Sequence, residues 1–128
     1  MVLTFVAGQQ WAYAAPAEIA HSRIVIGGIV TFEAGRQIAC CAVTHALQRQ
    51  TDGRLEQVTI PFLPLTMEAL RQSVTEVDGT APVPEAFAGH FNDWTGDPRG
   101  FTYFTVPFQG SLDGLIAAQM AALVDNPG

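Results

Sequence analysis

The chain has 128 residues, a length expected to make one domain, residues 1–128, with a core that needs no metal or disulfide to hold it. Twelve Asp and Glu against six Lys and Arg give a formal net charge of −6. The six bases are all arginine, scattered singly at Arg23, Arg36, Arg49, Arg54, Arg71 and Arg99. Nucleic acids and anionic membrane surfaces need clustered cations, so the charge pattern argues against both as partners.

Hydrophobic residues make up 48% of the chain and charged residues only 14%, against a usual charged share of about 25%. So few charges leave apolar patches outside the core, and such patches mark self-association or partner binding. No apolar run approaches the roughly 18 residues that cross a bilayer. Ala12-Tyr13-Ala14 resembles a small-x-small cleavage site. The segment before it carries no Lys or Arg, and its apolar part, Val2 to Ala7, is too short for a signal peptide. The expected location is cytoplasmic.

Val2 to Val6 is β-prone and is closed by Gly8. Gln10 to Ala14 sets Trp11 and Tyr13 among small residues and reads as a strand that ends before Pro16. Ala17 to Ala20 is too short to predict as a helix. Arg23 to Glu33 is apolar on both alternating faces, as a central strand is. Gly27-Gly28 in its middle predicts a bulge, a bend or a close backbone approach. Ala34-Gly35 is a hairpin signal. Arg36 to Leu47 returns as a second strand, and Thr51-Asp52-Gly53 makes a turn. Leu55 to Phe62 is a third strand, with Glu56, Val58, Ile60 and Phe62 on one side. Three strands in succession with short links make an antiparallel meander.

Thr66 is a suitable helix N-cap. Met67, Leu70, Val74 and Val77 come after it at helical spacing, before the stop at Asp78-Gly79. Phe87, Phe91 and Trp94 share a face if Pro84 to Trp94 is helical. Phe101 to Phe108 is expected as a last strand. Ser111 is expected to cap a last helix, Leu112 to Val124. Thr59-Ile60-Pro61-Phe62 before Thr66 is echoed by Thr105-Val106-Pro107-Phe108 before Ser111. Chance or shared strand-to-helix turn chemistry accounts for the echo more readily than duplication.

Candidate chemistry is sparse. Cys40-Cys41 are neighbours on a strand and point to opposite faces. They read as two small buried hydrophobes, since no C-x-x-C or second pair accompanies them. His45 lies four residues along the strand, about 13 Å from Cys41 in an extended chain, and is out of reach as its base. His90 and Asp93 fall at i, i+3 if helical. His90 and Asp93 alone, without H-x-H or H-E-x-x-H, do not make a metal site, so the expectation is no metal and no cofactor. The segment from Asp78 to Gly100 also carries Trp94 and Arg99, and a long loop with these residues is where a compact domain places a ligand site. No G-x-S-x-G and no phosphate-binding glycine loop is present.

The predicted fold is α+β: an antiparallel meander sheet of four to six strands with two or three helices packed on one face. The predicted function is a non-catalytic binding or assembly module that forms a homo-oligomer through its C-terminal helix. Leu112, Leu115, Ile116, Met120, Leu123 and Val124 surround that helix, with only Asp113 and Gln119 polar, and a helix apolar all round must be buried on most sides. The alternative is a small enzyme or small-ligand-binding protein whose pocket forms where the 78–100 segment, with His90, Asp93, Trp94 and Arg99, lies over the sheet.

Overall fold

The structure is a computed structural model that describes residues 4–32, 35–97 and 102–125, the side chains of Glu18 and Asp125 excepted. Five strands form one antiparallel sheet: β1 (Gln9–Tyr13), β2 (Arg23–Thr31), β3 (Gln37–Arg49), β4 (Leu55–Thr66) and β5 (Val74–Thr80). Their spatial order is β4-β3-β2-β1-β5. Three helices complete an α+β fold: α1 (Met67–Ser73), α2 (Phe87–Thr95) and α3 (Leu112–Asp125). The meander β2-β3-β4 forms as its alternation predicts. Gly53 at φ +88° and the Arg54 N–H donated to Asp52 Oδ1 (3.0 Å) close the second hairpin.

Both faces of the sheet are covered. On one face Ile24, Ile26, Cys41, Val43, Leu63 and Leu65 pack with Leu70 of α1, Leu115 of α3 and Phe108. On the other, Ile38 and Cys40 pack with Phe87 and Trp94 of α2. Two helices therefore share one face, and α2 takes the reverse face. The vicinal cysteines divide between the two cores as strand geometry requires, and both are buried.

Sequence and structure differ in three places. The helix that starts at Thr66 stops at Ser73 and does not run to Val77. Thr66 Oγ1 caps it by accepting the Ala69 N–H (3.0 Å). At its end Ser73 Oγ donates to Ala69 O (2.7 Å), and Val74 turns to extended backbone at ψ 152°. Val74 to Thr80 then pairs with the open edge of β1, with Trp11 opposite Val77. The stripe Met67-Leu70-Val74-Val77 fits a helix locally, but β-branched Val74, Thr75 and Val77 gain a strand partner that no local signal announces.

Residues 102–108 make no strand. Phe104 forms a single parallel bridge with Leu65. Its N–H donates to Pro64 O (3.0 Å) and its carbonyl accepts from Thr66 N (3.0 Å). Pro64 turns its carbonyl to Phe104 but has no N–H to offer on the same edge, so the ladder does not continue past this bridge. Phe101 lies outside the described residues. The echoed tetrapeptides thus differ in structure, the first within β4 and the second in irregular chain, and each leads to a capping hydroxyl.

The third difference is in β4. Ile60 and Phe62 face opposite cores, Ile60 with α1 and α3, Phe62 with α2. The register slips between the Val43–Ile60 and Cys41–Leu63 pairs, and one extra residue turns the remainder of the strand to the other face.

Candidate functional site

α2 carries most of the residues expected to form a ligand site. Phe87 and Trp94 are buried under the reverse face of the sheet, where Phe62 stands between them at ring-centroid distances of 5.6 Å each. Trp94 Nε1 donates to Thr102 O (2.6 Å), which ties the helix to the chain beyond it. Trp94 is thus committed to packing. His90 and Asp93 point away from this core, are exposed, and border an open depression of about 290 Å³ with Ala86 and Gly89. Among the described residues neither side chain makes a hydrogen bond or ion pair. Arg99 lies outside the described residues.

The thiols are buried and held protonated. Burial pushes Cys40 up to about 12 and Cys41 higher still, the nearby Cys40 thiol adding to the second shift. Thiolate chemistry is closed to both at neutral pH.

α3 is arranged differently from an ordinary surface helix. Ser111 Oγ accepts the Gly114 N–H (3.0 Å) and Asp113 lies in the first turn, both of which favour a helix start there. Leu115 is 2% exposed and enters the core under the sheet. One turn on, Gln119 also turns toward the body of the protein: its Oε1 accepts the Thr105 N–H (2.7 Å) and its Nε2 donates to Thr105 Oγ1 (3.0 Å). The helix therefore spends a polar side chain on its inner face. Its outer face is apolar, with Ile116 44%, Met120 62%, Leu123 65% and Val124 76% exposed, and Leu112 38% exposed at its start. Beside Leu112 a groove of about 160 Å³ opens against Leu47, Val58, Ile60 and Pro61.

A further cluster was not anticipated in the sequence. His45 has φ +54° at a second irregularity of β3, between the Val43–Ile60 and Ala46–Val58 pairs. Its ring meets that of His21, with centroids 4.5 Å apart and planes tilted by 57°. His21 Nε2 lies 3.2 Å from Gln57 Oε1. Both histidines are exposed. No local signal marks a bulge at His45, and without it nothing along the chain pairs the two rings.

Comparison of the chain with protein-family models, with curated proteins and with solved structures finds no match. Among the described residues no helix is long and apolar enough to cross a membrane.

Proposed function

We propose that the protein is a non-catalytic assembly module, a homo-oligomer joined through the outer face of α3. One observation carries this reading: α3 turns Gln119 inward and Ile116, Met120, Leu123 and Val124 outward. A helix that serves only its own fold has the opposite polarity. Together with Leu112 these side chains present an apolar patch on the order of 500 Å², near the upper end for a typical monomer. A standard interface takes about 800 Å² from each partner.

A second copy is the occupant that fits. Among the described side chains the patch carries no basic group and its one acid is Asp113 at its margin, so it offers no charge pattern for selecting a different partner. An isologous contact places the same apolar patch on both sides and needs none. A groove of about 160 Å³ matches one large aliphatic side chain, since a cavity of roughly 150 Å³ accepts a group the size of benzene. Met120 and Leu123 are the exposed side chains of that kind.

The test is sedimentation velocity at micromolar concentration on the wild type and on Ile116→Glu and Leu123→Glu. The reading expects a dimer or larger species in the wild type and a shift to monomer in both variants. A monomeric wild type rejects it, as does an oligomer that both substitutions leave intact.

A further inference from the structure

We propose that His21 and His45 form a surface site for one divalent transition ion, copper or nickel ahead of zinc, with two imidazole nitrogens as the protein ligands. Three features of the pair point the same way. The first is spacing. Two imidazoles bound cis to one ion, at metal–nitrogen distances of about 2.0–2.1 Å, hold their ring centroids roughly 4.5–5 Å apart. The observed separation is 4.5 Å with the planes inclined by 57°, within that range.

The second feature is orientation. Gln57 Oε1 can only accept a hydrogen bond, so the proton shared with His21 at 3.2 Å sits on Nε2. In that tautomer Nδ1 is the nitrogen left to ligate. A ligating histidine ordinarily donates its second ring N–H to an oxygen that fixes its tautomer and direction, and Gln57 supplies that oxygen.

The third feature is the backbone. His45 occupies the left-handed region at φ +54°, where no other non-glycine among the described residues lies. The irregularity in β3 that produces this conformation is what brings His45 beside His21. Left-handed non-glycine residues collect at binding sites, where the surrounding structure holds them in place. Here Thr44, the residue before His45, is held on both sides: its carbonyl accepts from Ser22 Oγ (2.6 Å) and its hydroxyl oxygen accepts from Arg23 N (3.3 Å). The same two bonds anchor the chain just after His21.

Among the described residues no three His, Cys, Asp or Glu side chains come together. Water therefore completes the coordination and the ion exchanges readily. A two-nitrogen set with cis geometry suits tetragonal copper and nickel, and copper binds most tightly in the first-row series.

The experiment is calorimetric titration of Ni²⁺, and separately Cu²⁺ followed by its visible absorption, into chelator-treated full-length protein. The variants are His21→Ala, His45→Asn and His90→Ala. Asparagine tolerates the left-handed backbone, so His45→Asn removes the ligand without opposing the bulge, and far-UV circular dichroism verifies the fold of each. The expected result is one ion per chain in the wild type and affinity weakened tenfold or more in both His21→Ala and His45→Asn. His90→Ala should match the wild type. A wild type that binds neither ion overturns the proposal, as does less than tenfold weakening in either pair variant or an equal loss in His90→Ala.

Discussion

The ring of Phe87 lies end-on over Gly27: a Cβ added to that glycine would overlap Cζ and sit within 2.8 Å of both Cε atoms. The contact joins α2 to the centre of the sheet, beside a register shift between Ile26 and Gly28. Phe87 cannot easily withdraw, because Phe62 and Phe91 pack against it at 5.6 and 6.1 Å. Gly27→Ala should therefore destabilise by about 1–3 kcal/mol, the usual cost of overpacking a filled core. In a Phe87→Leu background the same change should cost less, a coupling that a double-mutant cycle in urea detects. Gly28→Ala meets nothing within 4 Å and is the control.

Ser73 joins three parts of the chain. Its Oγ donates to Ala69 O and accepts the Phe108 N–H (2.8 Å), while its carbonyl accepts from Ala14 N (3.2 Å). Ser73→Ala leaves the buried Phe108 N–H without its partner. The expected cost is about 1–3 kcal/mol, read as a lower urea midpoint with an unchanged slope. A loss below about 0.5 kcal/mol would mean that another group satisfies that N–H.

The buried thiols predict a loss of stability in alkali. An unfolded Cys40 ionises near its ordinary value of 9.0, whereas the folded thiol stays protonated up to about 12. Between those values the unfolded chain binds fewer protons than the folded one, so stability falls as pH rises. The thiol contribution is complete below pH 9. Denaturation midpoints at about pH 8 and 10.5 should fall less in Cys40→Ala than in the wild type. Labelling of either thiol at neutral pH should be no faster than opening of the fold, and rapid labelling would contradict their burial.

Two leucines of α3 should respond in opposite ways. Leu115 is in the core, and Leu115→Ala should cost about 2–5 kcal/mol of protomer stability. Leu123 is 65% exposed, and Leu123→Ala should change the stability of the isolated protomer by no more than about 0.5 kcal/mol. Thermal melts under conditions that keep the chain monomeric separate the two. A large loss in Leu123→Ala would place that side chain in the core of its own protomer.

Local chemistry was enough to specify much of this protein. The β-branched runs around Gly27-Gly28, the Thr51-Asp52-Gly53 turn and the period of two place β2, β3 and β4. Both capping hydroxyls, Thr66 and Ser111, begin helices as their spacing predicts, and the alternation of Cys40 and Cys41 sends them to opposite cores. The glycine pair in β2 marked both a register shift and a close approach, though nothing local identified Phe87 as the ring that approaches. Scattered arginines and sparse charge depend on composition alone.

Tertiary structure decided the remainder, because it depends on which edges and faces happen to be free. Val74 to Thr80 fits a helix by spacing and becomes β5 because β1 offers an open edge. Phe104 and its neighbours fit a strand and stay irregular because Pro64, beside the one bridge they make, withholds a donor from the edge of β4. The sequence showed that α3 is apolar on most sides, but not that Thr105 would draw Gln119 inward and leave Ile116, Met120 and Leu123 to solvent. His21 and His45 meet only because an extra residue in β3 turns His45 through a left-handed conformation. Each of these outcomes is set by a partner distant in sequence, and a periodicity measured along the chain carries no information about where that partner will be.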